Sequence, residues 1–129
     1  MGIVADLWEN HIFLDEFTPE EKYIFLYCLT NPHRSFCGCY EISITQIANE
    51  TGLRRIHVRS VLDRLQRVHK VLVYNDPTKE LLLVDWLEDT WSNSKKWKKR
   101  VEREIQRCKC SKFAEFLRWK LGELRKSKA

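Results

Sequence analysis

Apolar residues recur along this chain with two different periods, and the changes of period mark its elements. Thr18-Pro19-Glu20-Glu21 opens a helix: Thr18 can accept from free amides, Pro19 suits the first turn, and Glu21 can complete a capping box. The run from Tyr23 to Leu29 is apolar nearly all round, as a central buried helix requires, and Asn31-Pro32 ends it near Thr30. Upstream, Trp8, Ile12, Phe13, Leu14 and Phe17 supply an N-terminal arm or short helix for the same core. Gly38-Cys39-Tyr40-Glu41-Ile42 then alternates as a short strand does, and Ser43-Ile44-Thr45-Gln46 offers a second capping box.

Ile44, Ile47 and Ala48 share one face of the next helix, which stops at Thr51-Gly52 where glycine can take a positive φ. From Leu53 to about Lys70, Val58, Val61, Leu62 and Leu65 recur at helical spacing. The opposite side carries Ile56, Arg59, Ser60, Asp63, Arg64 and Arg67. Helix, Gly-containing turn and second helix with a basic outer face make the layout of a helix-turn-helix, over about 43–70. Val71 to Tyr74 and Leu81 to Val84 read as strands around the turn-rich 75–79. That hairpin, within 71–86, is the expected wing of a winged helix. The predicted class is therefore α+β, mostly α with a small β-hairpin, occupying 1–90.

A basic helical extension is expected over 91–129. In Lys95 to Arg107 and on to Cys108, the residues Trp97, Val101, Ile105 and Cys108 form one narrow apolar stripe. A last helix from Ser111 to about Lys126 sets Phe113, Phe116, Leu117, Leu121 and Leu124 on a broader face. These faces suit either packing on the domain or a homodimer through the C-terminal helices.

Composition narrows the function. The 4 glycines among 129 residues fall at positions 2, 38, 52 and 122, so neither a dinucleotide fingerprint nor a phosphate loop can be written. The net charge of +5 divides unevenly: positions 1–93 sum to −5 and positions 94–129 to +10. A basic end of this kind predicts a polyanionic partner, nucleic acid before a membrane surface, with binding that weakens as salt rises. The longest apolar run is far short of the ~20 residues of a membrane helix. Asp6, Glu9, Asp15 and Glu16 interrupt any signal-peptide pattern, so a cytoplasmic protein with reduced cysteines is expected.

Leu26-Tyr27-Cys28-Leu29-Thr30-Asn31-Pro32-His33, Cys37 to Ile42, the helix-turn-helix from Ser43 to Leu65, and Val84-Asp85-Trp86-Leu87 leading to the basic helix carry a resemblance. The chain resembles the winged-helix module of phage replisome organisers, relatives of the DnaD-like replication-initiation proteins, over roughly 8–125. The resemblance implies DNA binding at a replication origin in a bacterial host cell and help in recruiting replication proteins. Arg54 stands where Ser or Thr commonly caps a recognition helix, and Ile56 occupies an outward position usually polar.

On this reading Arg55 and Arg59 are the candidates for base-edge contacts, with His57 and Ser60 assisting. Arg64, Arg67, Lys70 and the wing residue Lys79 would touch phosphates, as would Lys95, Lys96, Lys98, Lys99, Arg100, Arg103 and Arg107. The competing readings are a winged helix that recruits or inhibits a replication or host protein, with a solvated basic face, and a transcriptional regulator. Cys37, Cys39, Cys108 and Cys110 form two Cys-x-Cys pairs. They can be written as a zinc site, but free buried thiols are the favoured reading, and neither metal nor cofactor is expected. Catalysis finds no support, since His11, His33, His57 and His69 fall in no metal spacing and no nucleophile elbow exists.

Overall fold

The structure, a computed structural model, describes residues 3–128. Its elements run α1 (Ile3–Leu7), α2 (His11–Glu16), α3 (Pro19–Thr30), β1 (Cys39–Glu41), α4 (Ile44–Thr51), α5 (Arg55–Arg67), β2 (Leu72–Asn75), β3 (Glu80–Leu83), α6 (Trp86–Asp89), α7 (Lys95–Gln106) and α8 (Ser111–Lys128). The chain is mostly helical around one small antiparallel sheet of order β1-β3-β2.

Local chemistry explains the boundaries. Thr18 and Glu21 form the full capping box, Glu21 N donating to Thr18 Oγ1 at 3.2 Å and Thr18 N to Glu21 Oε1 at 2.7 Å. The second expected box is only half made. Ser43 Oγ accepts from Gln46 N, but the Gln46 amide turns to His33 and Glu50. Gly52 ends α4 at φ +81, and α5 starts at Arg55 with no side chain capping it. The predicted helix 53–70 is thus trimmed at both ends, because Arg54 is extended and Lys70 takes φ +56. Of the N-terminal aromatics and aliphatics, Phe13 and Phe17 enter the core, whereas Trp8 and Ile12 stay exposed.

Alternation along the strands gives the sheet two apolar faces, and both are covered. Tyr40, Leu72, Leu81 and Leu83 face the helical core with Ile24, Cys28, Ile47, Val58 and Leu65. Cys39, Leu82 and Val73 face the other way, onto Val101, Ile105, Phe113, Leu117 and Leu121. The apolar faces of α7 and α8 therefore close on each other and on the sheet.

Two carboxylates fasten these helices down. Glu104 Oε1 accepts from Phe36 N at 2.7 Å and Cys37 N at 3.0 Å, tying α7 to the loop before β1. The buried Glu80 of β3 accepts from Lys109 N at 2.9 Å and Cys110 N at 2.8 Å, at the start of α8. No helix among the described residues is long and apolar enough to cross a membrane.

Candidate functional site

The N-termini of α4 and α5 and the β2–β3 hairpin enclose an open cleft of about 670 Å³. Arg54, Arg55 and Arg59 line it from the helix side, Lys79 and Tyr74 from the hairpin, and Ser43 and Thr45 from α4. Its one anionic lining residue, Asp76, accepts from Arg59 Nη1 at 2.9 Å, so the pair links helix to hairpin while Arg54, Arg55 and Lys79 remain as cations. Tyr74 donates its hydroxyl to Ile42 O at 2.7 Å, which braces the hairpin. Burial and the nearby Asp76 raise the Tyr74 pKa, so its proton stays on the oxygen. Because Arg54 offers no capping oxygen, the first amides of α5 are also uncapped at the positive end of the helix dipole.

The structure divides the predicted basic residues into groups. Arg55 and Arg59 sit at the cleft, and Ser60 is exposed one step further along α5. His57 turns away to pair with Glu20 of α3. Arg64 reaches back toward α3, its Nε donating to the buried Glu21 Oε2 at 2.6 Å while its side chain stays half-exposed. Arg67 pairs with Asp63 on its own helix at 2.7 Å. Lys70 is exposed beyond the end of α5.

Lys95, Lys96, Lys98, Lys99, Arg100, Arg103 and Arg107 belong to a second surface. Their helix lies against the outer face of the sheet, opposite α5, so these cations and the cleft form separate sites. Part of this surface is a groove of about 450 Å³ with Phe36 and Trp97 in its wall and Lys96, Lys99 and Arg103 around it. The Arg100 guanidinium stacks over the Phe36 ring at 4.4 Å, and Trp91 meets Trp97 edge-on at 5.3 Å. Lys98 leans over Trp91 instead.

Sequence reasoning missed three contributors. Arg54 was legible only as a poor cap, although the same missing cap is what leaves the helix end open. Tyr74 looked like an ordinary strand aromatic. Glu80 gave no signal, since its role depends on a turn 29 residues away.

The thiols also gather. The Sγ atoms of Cys39 and Cys108 and a carboxylate oxygen of Glu80 lie within 4.8 Å of one another. Cys37 adjoins them: its thiol is pushed well up by hydrogen bonding with Cys108 and by burial. For Cys108, the bond from Cys37 pulls down while Cys39 and burial push up, leaving it at about 12. The Cys110 thiol stands outside the group that Cys39, Glu80 and Cys108 form. Compared with known protein families, curated proteins and solved structures, the chain matches none.

Proposed function

We propose that this chain is a winged-helix protein that binds double-stranded DNA, with α5 as the recognition helix and the β2–β3 hairpin as the wing. The observation that carries the reading is the cleft between them, where Arg54, Arg55, Arg59 and Lys79 meet the uncapped start of α5. Arginines at the start of such a helix reach base edges in the major groove, while lysine and helix-end amides suit phosphates. A role in replication initiation, of the kind the resemblance to replisome organisers implies, belongs to the same proposal.

Lys79 supports it independently. The residue holds φ +55, a left-handed conformation that glycine would take without steric strain and a side chain disfavours by about 1 kcal/mol. Keeping a lysine there makes sense where its charge is used. Lys79→Gly is expected to raise stability slightly and to weaken duplex binding, two opposite signs measured by urea denaturation and fluorescence anisotropy.

The main test is binding of random and candidate-origin duplexes at two salt concentrations. Binding should fall as salt rises, with a log–log slope of about −0.9 for each phosphate neutralised. Arg55→Ala with Arg59→Ala should weaken specific binding on the order of a hundredfold, at about 1–3 kcal/mol for each lost base contact. The circular-dichroism spectrum should not change, since both side chains are exposed. Unaltered affinity in the double variant removes α5 from the proposal.

Ile56 favours a second reading. It is 77% exposed in the middle of the basic face, where an aliphatic side chain suits a thymine methyl or a protein partner. Failure of every duplex to bind at low salt would transfer the cleft to a protein partner.

A further inference from the structure

Three distant segments bring sulfur and carboxylate ligands to one point: Cys39 from β1, Glu80 from β3, and Cys108 from the turn between α7 and α8. Cys37, Cys39 and Glu80 are buried, and Cys108 is half-buried and gives the point access to solvent. Alternation on β1 puts Cys39 and Glu41 on one face of the sheet, and Glu80 points there from the neighbouring strand through its pairing with Glu41.

Glu80 is the unusual member. Glu80 is 3% exposed and its carboxylate accepts from two backbone amides, yet among the described residues no cationic side chain pairs with it, since Lys109 Nζ goes to Glu41. Buried carboxylates ordinarily meet a counter-charge. Each of its oxygens takes one amide, so lone pairs remain on both, and the two thiols within 4.8 Å are the nearest ligand atoms.

We propose that Cys39, Cys108 and Glu80 bind a thiophilic divalent cation of the zinc class. Sulfur ligands select against magnesium and calcium, and two sulfurs with one carboxylate oxygen suit tetrahedral zinc with its fourth position open. Each coordinating thiol releases its proton to solvent and binds as thiolate, while Glu80 binds through a carboxylate oxygen. The ion joins β1, β3 and the α7–α8 turn, so it clamps the C-terminal helices to the outer face of the sheet. Glu80 takes the place that the sequence pattern would have given to Cys110.

The probe is Co²⁺ added to the full chain under a non-thiol reductant. The expected result is near-ultraviolet sulfur-to-cobalt charge transfer and red d–d bands, saturating at one ion per chain and displaced by Zn²⁺. Cys39→Ser and Cys108→Ser should each lose the charge-transfer band, and Cys110→Ser should keep it. Zn²⁺ should also raise the melting temperature of the wild-type chain and not of Cys39→Ser with Cys108→Ser. A reduced wild-type chain without the sulfur band overturns the proposal, as does a band that survives in that double variant.

Discussion

Replacing Glu21 by alanine is expected to destabilise the fold by about 2–4 kcal/mol, a large fraction of the stability of a domain this size. Glu21 is 1% exposed at the start of α3, and its contacts join that helix's N-cap, α5 and the segment just after α5. Oε1 accepts from Thr18 N at 2.7 Å and bonds the His69 ring at 3.1 Å, while Oε2 accepts from Arg64 Nε at 2.6 Å. Removing it breaks the half of the capping box in which Glu21 accepts from Thr18 N, worth about 1 kcal/mol. It also leaves the buried His69 ring without its partner, worth about 1–3 kcal/mol more. Arg64 adds little, because its half-exposed side chain can turn to water. Burial pushes the Glu21 pKa up, but the Thr18 amide, Arg64 and His69 together hold it below the ordinary 4.5. A lowered carboxyl pKa stabilises above the ordinary value, and that contribution is lost as pH falls through the folded value. Urea denaturation should therefore show a large gap between wild type and Glu21→Ala at pH 7 that narrows in acid. An equal gap at both pH values would mean the charge contributes nothing and only packing was lost.

Glu21 also shows where sequence reasoning stops. The Thr18–Glu21 capping box could be read directly, because both partners lie within one helical turn. That Glu21 is buried beneath Arg64 and His69 could not, because those contacts span 43 and 48 residues. The pattern holds across the fold. Periodicity found α5, α7 and α8, each encoded by its own amphipathic face, while cap and turn residues around apolar runs marked α3 and the hairpin. It left open what the face of α7 packs against, because a stripe such as Trp97, Val101 and Ile105 has the same spacing whether it meets a sheet or a second copy. The sheet's double covering answers this: Leu82 and Cys39 need an apolar lid, and Val101, Ile105 and Leu117 supply it.

The candidate site follows the same division. Arg55 and Arg59 were legible because helical geometry alone puts them outward at the start of α5. Arg64 and His57 share much of that face, yet carboxylates of α3 capture both. Charge along the sequence likewise marked the α7 lysines as a polyanion surface, but only the sheet between them shows that they and the cleft are two sites.

Gly38→Ala should be among the most damaging of the small substitutions, at about 2–4 kcal/mol, and Gly52→Ala is its internal control. Both glycines hold positive φ, +88 and +81, so alanine at either meets the same backbone penalty of about 1 kcal/mol. Space separates them. A Cβ on Gly52 would have nothing within 4 Å, whereas one on Gly38 would lie 2.6 Å from Trp86 Cβ and 2.9 Å from its Cγ. Those atoms are the root of the tryptophan, and the ring is buried with its Nε1 donating to Phe36 O at 3.2 Å, so it cannot swing aside cheaply. Overpacking of this kind adds about 1–3 kcal/mol. The consequence extends beyond the turn, because the Phe36 and Cys37 amides donate to Glu104 and Gly38 O accepts from Leu83 N at 2.8 Å. A displaced loop therefore loosens α7 and the edge of the sheet together. Chemical denaturation should place Gly38→Ala at least 1 kcal/mol below Gly52→Ala. Hydrogen exchange should show protection lost in α7 only for the Gly38 variant. Equal destabilisation by the two substitutions would reject the close approach of Trp86 as the reason for glycine at position 38.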